Sequence, residues 1–339
     1  MHALRSIAPL LAVPLLLLAA GTARAQPPAR GALLHHWSQA GARGEWQLRT
    51  VYAGGTACPA PSAVRALPDS AFPVLVCQQV LAGPGAPMAT VDRVVVLGDT
   101  GCRPGDQECT DPAQWPFARV AQEAAAAGGD LIVHVGDYIY RERCTPGLPG
   151  PCGDNWATWE ADFFRPVGEL LAAAPWVFVR GNHEDCSRGG RGWFRFLDPS
   201  DVPAAGCADT TDPYAVRVPG LGRLLILDSA CAPWYSRCWP IPNPAGGQMN
   251  DPARAVPAYA AQFGQLAALA AADEPAWLVT HTPVWAVDLR VGADSLGSYL
   301  LQAALREGAP GGVLPASVGL SLFGHIHVWE WVDFAAGRA

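Results

Sequence analysis

Trp176-Val177-Phe178-Val179-Arg180-Gly181-Asn182-His183-Glu184 is the stretch on which the fold turns. An apolar run stops at a glycine, and an amide and an imidazole follow side by side, as at the end of a buried strand. A neutral Asn oxygen is a weak metal ligand, useful where other ligands already supply negative charge. Gly98-Asp99-Thr100-Gly101, Gly136-Asp137-Tyr138-Ile139-Tyr140, Thr280-His281-Thr282-Pro283 and Gly324-His325-Ile326-His327 offer those ligands. Together these stretches imply a two-metal site acting on phosphate esters.

Apolar runs at 94–97, 131–135, 176–179, 224–227, 277–279 and 318–323 are rich in Val, Leu and Ile, as strands buried on both faces are. Helices are expected between them at 118–127, 156–174 and 258–272. The alternation defines an α/β domain, in which sites form beyond the carboxyl ends of the strands. That domain is placed at 93–339. An alternating run at 328–334 follows the last motif. Residues 26–92 read as a small β-rich N-terminal extension, with strands at 46–52 and 72–77 and a disordered start containing His35 and His36. The Pro- and Gly-rich segments 144–154 and 232–257 read as long loops.

Residues 1–25 have the form of a signal peptide. Arg5 precedes an apolar run too short to span a bilayer, and Ala23-Arg24-Ala25 offers a cleavage site. A secreted or periplasmic protein is expected, with no membrane segment after the signal is removed. The 10 cysteines agree with export. Proximity suggests the pairs Cys58–Cys77, Cys102–Cys109, Cys144–Cys152, Cys186–Cys207 and Cys231–Cys238, and no C-x-x-C supports a cysteine-bound zinc. All 23 basic residues are arginine, which excludes a Schiff-base or Walker lysine. A net charge of −7 argues against binding a nucleic-acid backbone. No G-x-S-x-G surrounds Ser229, so a serine hydrolase is not indicated.

Ligand chemistry assigns the roles. Asp99 offers a carboxylate to a first ion, and Asp137 can bridge both. Tyr140, with an ordinary pKa of about 10, ligates as a phenolate only beside a strongly acidic ion. Fe(III) with a divalent partner (iron, zinc or manganese) meets that need. Asn182 and His281 face the second ion, and His325 and His327 supply one imidazole to each. The anionic ligands and a bridging hydroxide leave such a site weakly positive, suited to a small phosphorylated substrate. His183 cannot easily share an ion with Asn182 and is placed beside the site, to stabilise charge or protonate the leaving oxygen. Glu184 is read either as orienting His183 or as a solvated carboxylate. Arg141, Arg143, Arg188, Arg191 and Arg195 are candidates for a phosphate clamp. His134 is expected in the core, Asp228 and Ser229 behind the ligands, and Trp234 and Tyr235 either in loop packing or at the pocket rim.

The ordered set GDTG, GDYIY, GNHE, THTP and GHIH resembles the calcineurin-like metallophosphoesterases over about residues 93–330. Many members carry D-x-H in the first motif, where this chain has Gly101. Purple acid phosphatases also have glycine there, with a tyrosine three residues after the bridging aspartate. The resemblance implies a four-layer α/β/β/α sandwich with a dinuclear site at one edge. Members of the family continue with further strands after the last motif, which implies a C-terminally truncated domain. It also implies an acid phosphomonoesterase using a metal-bound hydroxide. A phosphodiesterase, a nucleotidase, or a non-catalytic exported binding protein on the same scaffold are the alternatives.

Overall fold

The computed structural model describes residues 31–81, 90–287 and 297–331. In chain order the N-terminal strands are β1 (Leu33–Ala40), β2 (Trp46–Tyr52), β3 (Ala63–Ala66) and β4 (Leu75–Val80). The first motif-bearing strands are β5 (Val94–Leu97), β6 (Leu131–His134) and β7 (Trp176–Phe178). These strands form a seven-stranded sheet in the order β3-β4-β2-β1-β7-β6-β5. β5, β6 and β7 run parallel, and β1 joins β7 in parallel through Gln39 and Trp176, so the N-terminal strands continue the same sheet. After β8 (Tyr214–Val218) and β9 (Gly222–Leu227) comes a ribbon of β10 (Pro240–Pro242) and β11 (Gln248–Asn250). With β12 (Ala276–Thr280) and β13 (Val318–Leu322), β8 and β9 make a four-stranded sheet in the order β13-β12-β9-β8.

The period of two along a strand explains why these runs are apolar throughout. Leu131, Val133, Val177 and Val179 meet Leu224, Ile226 and Val279 in a core between the two sheets. Ile132, Trp176 and Phe178 face the opposite way, into a core that includes α1 (Phe117–Ala127). In the second sheet Leu225, Leu227 and Leu278 turn outward to meet α6 (Pro252–Leu269) and α7 (Tyr299–Gly308). Each strand therefore feeds two apolar layers, and the order of layers is helix, sheet, sheet, helix.

Local chemistry moves some boundaries away from their expected places. The helix expected at 156–174 divides into α2 (Trp156–Trp159), a π-helical stretch at Glu160–Phe164, α3 (Arg165–Val167) and, after Gly168, α4 (Leu170–Ala173). Pro166 has no N–H to continue α-helical bonding, and Gly168 has φ 52°. α6 begins at Pro252, six residues before its expected start, because the Asp251 side chain accepts from Ala253 N and Pro252 suits a first helical position. β4 starts after Pro73 rather than at Phe72. His35 and His36 lie on β1, not in a disordered start. Residues 328–331 form no strand, and the rest of that alternating run lies outside the described residues.

The expected disulfides Cys58–Cys77, Cys102–Cys109, Cys144–Cys152, Cys186–Cys207 and Cys231–Cys238 are all formed. Residues 1–25, expected to be a signal peptide, lie outside the described residues. Among the described residues no helix is long and apolar enough to cross a membrane.

Candidate metal centre

The motif residues follow the carboxyl ends of strands from both sheets. Asp99 follows β5, Asp137 follows β6 and Asn182 follows β7, while His281 follows β12, and His325 and His327 follow β13. Backbone hydrogen bonds lace these ends together. Asp99 N donates to Gly136 O at 2.9 Å, Thr100 N to Asp137 O at 3.0 Å, and Gly324 N to His281 O at 2.9 Å. The structure brings Asp99, Asp137, Tyr140, Asn182, His281, His325 and His327 together at this one place, with His183 beside them.

Two groups of donor atoms share Asp137. Asp137, His281 and His325 offer ligand atoms within 4.8 Å of one another, as do Asp99, Asp137 and His327. His281 Nε2 lies 3.0 Å from Asn182 Oδ1 and 3.3 Å from Asp137 Oδ2. Its Nδ1 donates to Val135 O at 2.7 Å, which fixes the tautomer and leaves Nε2 turned to the site. On the other side the Tyr140 hydroxyl lies 3.0 Å from Asp99 Oδ1, 3.2 Å from Asp137 Oδ2 and 2.8 Å from His327 Nε2.

These side chains fit a pair of cations, for reasons visible in the protein itself. Among the described residues the non-glycine positions with positive φ are Asp99 (55°), Asp137 (60°), His325 (74°) and His327 (55°). Such backbone costs about 1–3 kcal/mol per residue and persists where the surroundings hold a functional geometry. Asn182 Nδ2 is buried without a hydrogen-bond partner, as expected if the amide is placed for its oxygen. The site also draws positive charge. Burial alone would lower the pKa of His281, yet Asp137 and Asp99 raise it to about 9. Burial, Asp137 and Asp99 all push Tyr140 far above the ordinary phenol range, so without a strongly acidic ion it stays a neutral donor.

Glycines make these close approaches feasible. A Cβ on Gly101 would lie 2.7 Å from Tyr140 N and 2.8 Å from Ile139 C, so the glycine at the D-x-H position and the nearby tyrosine form one arrangement. Gly136 has φ 104°, and a Cβ there would meet His281 Nδ1 at 2.5 Å.

The residues around the ligands divide into those the sequence indicated and those it did not. Gly136 N donates to His134 Nδ1, so the buried His134 ring carries its proton on Nε2 and donates to Thr100 Oγ1 at 2.9 Å. Burial lowers its pKa to about 3. Asp228 pairs with Arg180 at 3.2 Å, and Ser229 Oγ accepts from Thr280 Oγ1 and Thr282 N, each at 2.8 Å. Glu184 is neither solvated nor in contact with the His183 ring. Fully buried, it accepts from the N–H groups of Asp137, Tyr138, Ile139 and Gly181. The carboxylate that meets His183 is Glu142, whose Oε1 lies 2.9 Å from Nδ1. Of the candidate clamp arginines, Arg141 pairs with Asp162, Arg188 with Asp185, and Arg191 and Arg195 with Asp69. A guanidinium that does reach the site is that of Arg103, stacked 4.3 Å from the centre of the Tyr140 ring. Its position two residues after Gly101, beside a disulfide cysteine, was the one signal in the sequence. Tyr235 lies at the rim, its hydroxyl 3.1 Å from His325 Nε2.

A family model described as calcineurin-like phosphoesterase matches residues 92–329, more than half of the chain, and the chain belongs to that family. Membership implies a dinuclear metal centre. Among solved structures the chain is similar to a purple acid phosphatase from yellow lupin (Lupinus luteus) seeds, at 12% identity and a TM-score of 0.45. That match covers 87% of this chain and 58% of the lupin chain, so the chain spans less than two thirds of the lupin protein. A comparison with curated proteins gave no match.

Proposed function

We propose that the protein is an exported acid phosphomonoesterase whose site holds Fe(III) and a divalent iron, zinc or manganese ion. The observation that carries this reading is Asp137, the carboxylate common to both donor groups. Asp99, Asp137, Tyr140 and His327 would hold the ferric ion, and Asp137, Asn182, His281 and His325 the divalent one. Residues 93–339 form the catalytic domain and 26–92 an extension that lengthens its sheet. Export is supported by the signal-like residues 1–25 and by the disulfides.

When bound, such a pair of ions supplies Lewis acidity to the phosphoryl oxygens and makes water acidic. The chain's own residues then position and protonate. Asp137 Oδ1 accepts from His183 N at 2.9 Å, which ties the histidine to the ligand cluster. Its Nδ1–H donates to Glu142 Oε1, and in the imidazolium form Nε2 carries a second proton that it would pass to the leaving oxygen, becoming neutral. The Tyr140 and His183 rings meet at 81° with 4.4 Å between centroids, so the tyrosine packs directly on the imidazole.

Purified protein supplied with iron should hydrolyse para-nitrophenyl phosphate at acid pH, hold two ions per chain and show a phenolate-to-iron visible band. Asn182→Ala and His325→Ala should each reduce kcat/KM by about 100-fold or more, losing over 2.7 kcal/mol of transition-state stabilisation. A colourless protein that binds only zinc would overturn the Tyr140 assignment. A protein that binds no metal would overturn the two-metal reading altogether. Faster turnover of bis-para-nitrophenyl phosphate than of the monoester would favour the diesterase alternative.

A further inference from the structure

The loop that follows the first motif is closed by the Cys102–Cys109 disulfide, and it delivers a cation to the site. Arg103 is half-buried there, its guanidinium 4.3 Å from the centre of the Tyr140 ring. Its backbone N–H donates to Gln107 Oε1 at 3.2 Å, and Pro104 bridges Gln107, so the loop is held from within. The other arginines near the motifs that reach a carboxylate do so by ion pairing, but Arg103 forms no ion pair among the described residues. Its Nη2 instead faces His327 Nε2 at 3.5 Å.

That acceptor is not available for both roles. His327 Nε2 also lies 3.1 Å from Asp99 Oδ1 and 2.8 Å from the Tyr140 hydroxyl, among the proposed donor atoms. It has one lone pair. Once that pair is committed to a cation, the guanidinium keeps its charge and its place but loses its acceptor. A partly desolvated cation in that position calls for an anion, and a planar fork of N–H donors suits phosphate oxygens.

We propose that Arg103 is the substrate-phosphate clamp and that it makes the site prefer monoesters to diesters, an inference that rests on the phosphoesterase reading above. A monoester carries more negative charge than a diester and has a third free phosphoryl oxygen, which a diester lacks. Arg103 is placed to take that oxygen. Without it the advantage of the monoester falls.

The test uses the iron-loaded full chain with Arg103→Gln and Arg103→Lys. Inorganic phosphate binding is measured by calorimetry, together with kcat/KM for para-nitrophenyl phosphate and its bis ester. Arg103→Gln should weaken phosphate binding and monoester kcat/KM about tenfold or more, as expected for one charged hydrogen bond. It should leave metal content unchanged and diester kcat/KM within about threefold, a difference well under 1 kcal/mol. Arg103→Lys should recover part of the phosphate affinity, since it restores charge without the fork. Unchanged phosphate affinity and an unchanged monoester-to-diester ratio in Arg103→Gln, with both metals present, would overturn the proposal alone. Loss of metal from that variant would also overturn it, by making Arg103 part of the metal-holding structure. A wild-type chain that takes up no metal would instead defeat the phosphoesterase reading on which the proposal stands.

Discussion

Glu184 shows how much of the site depends on a residue that is not a ligand. Its carboxylate has no exposed surface and joins the turn after β6 to the turn after β7 through backbone N–H groups. Two of those groups belong to Asp137 and Tyr138, so the acceptor shapes the left-handed turn that presents the shared Asp137 carboxylate. Removing it leaves buried donors unpaired, each costing about 1–3 kcal/mol. Glu184→Ala should therefore lose roughly 3 kcal/mol or more in a urea titration, and it should bind metal poorly. Glu184→Gln keeps one carbonyl acceptor and should lose less. Wild-type stability in Glu184→Ala would mean that the two turns hold their shape unaided.

The N-terminal strands grip the end of the helix that follows the Asn182–Glu184 turn. Arg49 on β2 donates to Phe196 O at 2.6 Å and Asp198 O at 2.8 Å, while Arg65 on β3 donates to Phe194 O at 2.6 Å and Ser200 O at 2.7 Å. The Phe194 and Phe196 carbonyls end this helix, α5 (Gly190–Phe196), and would otherwise be orphaned, while Asp198 and Ser200 lie just beyond it. The extension thereby clamps the end of the helix that follows the Asn182–Glu184 turn. Beside this clamp lies Asp198, whose pKa burial raises from 3.8 to about 6, although Arg65 pulls it down. A carboxyl whose folded pKa exceeds its unfolded one holds its proton more tightly when folded. Its contribution is complete below about pH 4 and is lost as pH rises through 6. Thermal scans should therefore show Asp198→Asn, which cannot ionise, losing less stability than the wild type between pH 4.5 and 7, by a few kcal/mol at most. Identical pH dependence in the two proteins would remove Asp198 from this account.

Across the whole molecule, the proposed ligands come from both sheets. Asp99, Asp137 and Asn182 leave the first, and His281, His325 and His327 leave the second. Bound cations would therefore tie the sheets together at the edge where their strands end. A ligand at 100 times its Kd adds about 2.7 kcal/mol to the folded state. Chelation should lower the melting temperature by about 5 °C or more, and re-addition of iron should restore it. A melting temperature indifferent to chelator would show that the sheets hold together without the cations.

Local patterns were legible in the sequence because their physics is local. A strand buried on both faces needs an unbroken apolar run, so β5, β6, β7, β9, β12 and β13 could be placed to within about two residues. The motif residues could be grouped because a turn after a strand needs glycine, and a cation needs carboxylate, imidazole or amide oxygen. Three features depended on contacts between distant parts of the chain. Asp99 accepts from His325 N across 226 positions, and Arg103 reaches His327 across 224. Glu184 changes from an ordinary surface carboxylate to a buried brace only once β6 and β7 lie side by side. The sequence by itself determined which chemical groups are available and which strands carry them. Only the tertiary structure decided which carboxylate meets His183, which arginine faces the site and how the N-terminal strands join the sheet. Those outcomes depend on distances between segments, and no local pattern of side chains records such distances.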